Sequence, residues 1–184
     1  MKNAIASLVI SPSQTIQIRL GKHGQLVKAL LEDFAPRFAG GFELVYARAS
    51  RGDESFYAWQ RLNDLCVIFE NIENLPDVVL YCVAKNRLFL VECVTRHGPI
   101  DEKRHDELSR RFKNARSELI FVSCFPSREI MAGHMMAIPW GTEAWCAQEP
   151  AHLIHFNSGQ LLGPRPANQH PVVFHDASDY RAAI

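Results

Sequence analysis

Asp77, directly after Pro76, and Glu92, inside the run Leu88-Phe89-Leu90-Val91-Glu92-Cys93-Val94, are the acids whose settings suit chemistry. The apolar run from Asp77 to Val83 and the one from Leu88 to Thr95 are joined by the polar link Ala84 to Arg87, short enough only for antiparallel neighbours. Strand parity then places Asp77 opposite Glu92 or Val94, with all three side chains on one sheet face. Two converging carboxylates suit a magnesium ion, which prefers oxygen ligands and retains several waters, and so suit phosphodiester hydrolysis. Taken alone, Asp77 also reads as the polar residue that opens a strand after a proline. Glu92 is harder to explain that way, because an unpaired charge in so apolar a run is costly and demands a metal or an ion-pair partner.

The elements that must hold these acids follow from hydrophobic spacing. Leu26, Val27, Leu30, Leu31 and Phe34 recur at helical intervals and predict a helix over Gln25 to Phe34, stopped by Pro36. Gly40-Gly41 opens a strand from Phe42 to Ala47, and Phe56, Trp59 and Leu62 predict a second helix over Ser55 to Leu65. After the hairpin, Asp101 is an N-cap for a helix to about Ala115. Leu119 to Phe125 follows as a strand, Ser127 to about Met136 as a short helix, and Glu143 to Ala147 and His152 to Phe156 as weaker strands. Trp140, Trp145, His152 and His155 are assigned to core and strand positions. The order predicts an α/β fold with a mixed central sheet flanked by helices.

Composition sets the limits. With 47% hydrophobic and 22% charged residues in 184, the chain has the apolar content of one folded domain rather than a disordered or fibrous protein. Net charge is zero, so attraction to a polyanion must come from a local face. Basic residues do outnumber acids between Lys85 and Arg116, although a solvated helix with opposite-charge pairs accounts for them equally well. Five cysteines without CxxC spacing fit buried free thiols in a reducing compartment, and no long apolar run suggests a membrane segment, so the expected location is cytoplasmic. Arg96 and His97 lie where the chain leaves the second acidic strand. There a cation can touch a phosphate, and an imidazole can bind, relay a proton or simply hold the loop by hydrogen bonding.

The chain resembles the C-terminal catalytic domain of the BsuBI/PstI restriction endonuclease family, a branch of the PD-(D/E)xK nucleases. The carrying residues are Pro76-Asp77-Val78-Val79-Leu80-Tyr81, Leu88-Phe89-Leu90-Val91-Glu92, Val94-Thr95-Arg96-His97-Gly98-Pro99-Ile100-Asp101, Lys103-Arg104 and Glu107-Leu108. Trp140-Gly141-Thr142-Glu143 and His152-Leu153-Ile154-His155-Phe156-Asn157 follow, with Gly21-Lys22-His23 and Phe34-Ala35-Pro36-Arg37-Phe38 upstream. The resemblance implies a restriction-endonuclease-like fold, with 1–20 as an N-terminal extension, 21–164 as the nuclease-like domain and 165–184 as a tail. It implies a magnesium-dependent endodeoxyribonuclease, with manganese as a substitute, acting on double-stranded DNA. A homodimer would let two sites cut two strands.

Asp77 and Glu92 become the implied metal ligands. In the wider nuclease pattern a lysine stands two residues after the second acid, where this chain has Val94, so the lysine must come from elsewhere. Lys103 is the candidate, the alternative being a surface lysine paired with a carboxylate. Arg96, His97 and Arg104 are the implied DNA contacts. The chain departs from the family pattern in carrying Ala47-Arg48-Ala49 at a strand end where relatives resemble Gly-Asp-Thr, and Gln25 at an acidic helix position. Full-length members carry a helical DNA-recognition domain before the catalytic one, whereas twenty residues precede Gly21 here. These departures keep open a catalytically impaired DNA-binding or regulatory module, or a protein-binding partner in a defence system.

Overall fold

The structure is a computed structural model that describes residues 5–11, 14–48, 55–67, 74–95 and 97–156. Its centre is a seven-stranded mixed sheet in the order β4-β3-β5-β6-β7-β8-β9. The strands are β3 (Phe42–Ala47), β4 (Phe56–Tyr57), β5 (Val78–Cys82), β6 (Arg87–Cys93), β7 (Glu118–Phe125), β8 (Glu143–Cys146) and β9 (Leu153–His155). β6, β7 and β8 run parallel, and the remaining pairings are antiparallel. The predicted α/β fold with a mixed central sheet is therefore the one observed.

Two-residue alternation along β6 explains its near-continuous apolar sequence. Leu88 and Leu90 enter one core with Val79, Phe121, Ile100, Leu108 and Phe112, whereas Phe89, Val91 and Cys93 enter the other with Leu80, Val122 and Trp145. A strand buried on both faces has little room for polar side chains, so Glu92 stands out. The helix α4 (Glu102–Arg111) makes the crossover from β6 to β7 and covers the first core. Asp101 caps it as predicted, its side chain accepting a hydrogen bond from the Arg104 amide at 2.7 Å.

Three expectations are corrected. The first helix starts earlier, as α1 (Lys22–Ala29), and does not stop before Pro36: it passes through a π-helical turn (Leu30–Phe34) into α2 (Ala35–Phe38). The wider turn brings Pro36 into the first turn of α2, where a missing N–H costs little. The predicted helix over Ser55 to Leu65 is split into β4 and α3 (Trp59–Asp64). Tyr57 pairs with Tyr46 across the strands, their rings 5.1 Å apart, and stacks on Trp59 at 4.7 Å. Cross-strand aromatic contact thus overrides helical spacing. Trp145 is fully buried in β8 as expected, but Trp140 is 74% exposed in the turn before β8, touching Phe156.

Segment 1–20 carries a hairpin that hydrophobic spacing did not reveal, β1 (Ile5–Ser11) with β2 (Gln14–Arg19). Leu8, Ile16 and Ile18 join the core containing α1 and Phe89. Contact between hairpin and helix is closest at Gly24, where an added Cβ would stand 2.0 Å from the Arg19 carbonyl oxygen and 2.9 Å from Ile18 Cγ2. Backbone cannot yield there as a flexible side chain would. Gly24→Ala should therefore lower stability by roughly 2 kcal/mol or more despite the better helix propensity of alanine, read as a drop in the urea midpoint at constant slope.

Candidate functional site

The acids meet at one end of the sheet. Val78 pairs with Val91, so the same antiparallel register carried one residue further sets Asp77 opposite Glu92, one of the two placements hairpin parity allows. Each side chain is only 14% exposed. Asp77 Oδ2 accepts a hydrogen bond from the Cys93 amide at 2.9 Å, which fixes the carboxylate beside the strand carrying Glu92. Oδ1 is left to face Arg48 Nε at 3.2 Å and His23 Nε2 at 3.9 Å. Neither nitrogen has a hydrogen-bond partner among the described residues, although both are buried. Such unsatisfied donors beside a carboxylate mark a site arranged for something more than packing.

Glu92 has the ion-pair partner its setting demands. Arg104 donates to Glu92 Oε1 from Nε at 2.9 Å and approaches it through Nη2 at 2.7 Å. The same guanidinium meets Glu107 at 2.9 Å and the carbonyls of Asn74 and Leu75. Burial and the neighbouring Asp77 carboxylate nevertheless push the Glu92 carboxyl up to about 7, against the opposing pull of Arg104. The folded chain thus binds this proton more tightly than the unfolded chain does. Glu92's share of stability is fully present below pH 4.5 and is lost as pH rises through about 7. In chelator, Glu92→Gln should flatten the fall in unfolding free energy between pH 5 and 8, measured by urea titration.

A cleft of about 420 Å³ opens over the pair, lined by Arg48, Asn74, Asp77, Glu92, His97, Gly98, Pro99, Asp101 and Arg104. The Ile100 amide donates to Ser123 Oγ at 3.0 Å, tying the end of the loop after β6 to β7 and fixing the cleft's far wall. Asp77, Glu92, His97 and Arg104 are therefore brought together. Lys103 is not: it is exposed in the first turn of α4 and absent from the cleft lining. Arg96 lies outside the described residues. Val94, where the wider pattern has lysine, is 2% exposed and packs with Phe125, Met131, Ile138 and Ala144. Thr95 faces away from Glu92, into a second cavity with Lys22 and Gln25.

Arg48 and His23 were not assigned to the site from sequence. The signal for Arg48 was its place one residue beyond the predicted strand Phe42 to Ala47. Its use required knowing that this strand pairs with β5, Ala47 opposite Val78, which brings Arg48 level with Asp77. The Arg48 amide donates to the Asp77 carbonyl at 2.7 Å, continuing that ladder.

Comparison with known proteins gives this arrangement a family. The chain is 41% identical over 155 residues to the type II restriction enzyme BsuBI of Bacillus subtilis and 31% identical over 159 residues to the type II restriction enzyme AplI of Arthrospira platensis. These alignments take in 84% and 83% of this chain but 49% of each relative, so the chain spans about half the length of the curated relatives it matches. The solved structure of the SdaI restriction endonuclease superposes with a TM-score of 0.80 at 34% identity, covering 88% of this chain and 51% of that one. The family described as the BsuBI/PstI restriction endonuclease domain matches residues 7–159, a span that includes β2, the hairpin β5-β6 and every residue of the cleft. On that match, which runs through the whole central sheet, the chain belongs to the BsuBI/PstI restriction endonuclease family.

Proposed function

We propose that the chain hydrolyses phosphodiester bonds of double-stranded DNA in the Asp77–Glu92 cleft, using a divalent cation, magnesium by preference and manganese as a substitute. The observation that carries this reading is the pairing of two largely buried carboxylates under an open cleft with arginines on its walls. The residues fit the ion. Magnesium is commonly bound by one or two carboxylates, with waters and substrate phosphate completing its shell, and Asp77 and Glu92 supply the carboxylates beside space for the rest. When bound, the ion would supply a Lewis acid and a water of lowered pKa.

The chain's own residues do the remaining work in this reading. The Cys93 amide orients Asp77, and the Arg104 guanidinium orients Glu92. Arg48 and Arg104 are planar donors at the cleft wall suited to phosphate oxygens, and His97, exposed at the mouth, contacts the DNA backbone. The charge-stabilising role assigned to Lys103 from sequence passes to Arg104, its neighbour inside the cleft. Arg96 remains a proposed DNA contact. The division at residues 20 and 164, the homodimer and a cytoplasmic location are likewise proposals. Among the described residues, no helix is long and apolar enough to cross a membrane.

A second reading has its own support. Both acids already face arginines, and Val94 is buried in apolar packing, so the same cleft suits a DNA-binding module that does not cut. Incubating the protein with mixed plasmid and phage DNA in magnesium, manganese or chelator separates the two. Metal-dependent fragments support the nuclease, and intact DNA that binds the protein in a salt-sensitive way supports the module.

A further inference from the structure

Each acid of the cleft floor faces an arginine. Arg48 Nε lies 3.2 Å from Asp77 Oδ1, and Arg104 Nη2 lies 2.7 Å from Glu92 Oε1. Both guanidiniums also donate to the Leu75 carbonyl, Arg104 at 3.1 Å, so they converge on one acceptor. Each acid of the pair faces its own guanidinium, and Glu107 adds a third carboxylate to Arg104. A divalent cation added to that set would meet two positive charges already seated on its ligands, Arg48 34% and Arg104 21% exposed. Coulomb repulsion between partly buried charges a few ångströms apart is enough to weaken binding by about tenfold or more.

The two arginines are held unequally. Arg104 is also paired with Glu107 at 2.9 Å and anchored on Asn74. Arg48 reaches Asp77 at ion-pair distance, yet its buried Nε makes no hydrogen bond among the described residues. A guanidinium so placed gains by turning to a ligand with better-directed oxygens. A DNA phosphate is such a ligand, and its negative charge would offset that of an arriving cation.

Taking Asp77 and Glu92 as the cation's ligands, we propose that Arg48 and Arg104 keep the carboxylate pair neutralised and closed to a divalent cation until a DNA phosphate draws the guanidiniums away, Arg48 first. Metal entry and DNA binding are then linked, because each relieves the charge that opposes the other.

The test is Mn²⁺ binding to the protein without DNA, followed by electron paramagnetic resonance, with folding checked by circular dichroism. Wild type should bind weakly, and Arg48→Gln should bind at least about tenfold more tightly. Arg48→Lys, which keeps the charge, should bind as wild type does, an outcome that loss of packing alone would not produce. Arg104→Gln is the independent second variant and should shift affinity in the same direction. Adding Asp77→Asn to Arg48→Gln should remove the gain. If both glutamine variants bind Mn²⁺ no more tightly than wild type while Asp77→Asn still weakens binding, the exclusion is overturned and the metal site stands. If Asp77→Asn changes nothing in any background, with or without duplex DNA, both are overturned.

Discussion

Asp77→Ala and Glu92→Ala should each reduce the proposed metal-dependent DNA cleavage by about a thousandfold or more, in single-turnover assays at saturating protein. Each substitution removes half of a two-carboxylate site, and electrostatic stabilisation of a developing charge is worth several kcal/mol in such a setting, about 4 kcal/mol for a thousandfold. Folding should survive both changes. Loss of Asp77 frees the Cys93 amide and loosens Arg48, whereas loss of Glu92 removes a carboxyl whose ionisation burial already opposes. Retained cleavage in both variants would mean that the chemistry lies elsewhere on the chain.

Arg104→Ala should produce the second large effect, one that Lys103→Ala should not share. Removing Arg104 leaves Glu92 with 14% exposure and without its cation, and breaking a buried pair in this way costs about 3 kcal/mol or more. The loss depends on pH. Near pH 5 Glu92 holds its proton with or without Arg104 and most of the cost disappears; toward pH 8 the cost is felt, because the unpaired carboxyl, pushed further above the present value of about 7, must keep a proton that wild type gives up or bear a buried charge. Cleavage should fall by about a hundredfold as the cleft loses a donor to phosphate. Lys103→Ala, at an exposed position, should move stability by less than about 0.5 kcal/mol and cleavage by less than tenfold. Chemical denaturation at the two pH values, beside cleavage rates, distinguishes the pair of variants. Equal losses of cleavage would restore Lys103 to the site.

The contrast between Lys103 and Arg104 shows how much of the site could be read from residue order. The Asp101 cap was legible, and so was the thin apolar face of α4. Leu108 is the buried residue of that helix, and Phe112 follows four positions later in the same core. Arg104 is four positions before Leu108 and therefore shares its stripe; Lys103 is a step of about 100° away from it. The phase that sets Arg104, and not Lys103, on the cleft side of α4 is present in the sequence.

Other features depended on pairing that no local signal carries. The hairpin β5-β6 declared itself through two apolar runs and a short polar link. Its neighbour β3 was recognised as a strand, yet nothing in Phe42 to Ala47 says which strand it joins, and Arg48 reaches Asp77 only through that choice. The β1-β2 hairpin is hard to read because β1 buries only Leu8 fully, so that the short alternation of Ile16 and Ile18 in β2 stands without a matching partner run, and because its apolar side is completed by α1 rather than by its own length. Tyr57 departs from the predicted helix because its partner, Tyr46, lies on the neighbouring strand β3, outside the span whose helical spacing predicts the helix.

The most direct measurement is a crystal of the protein bound to duplex DNA in the presence of Mn²⁺, read by anomalous diffraction. A metal ion bound to DNA at the Asp77 and Glu92 carboxylates, with the Arg48 guanidinium moved from Asp77 to a phosphate, is the predicted result. Duplex DNA bound in the cleft with no metal at either carboxylate, or with the metal held by other residues, would contradict the account.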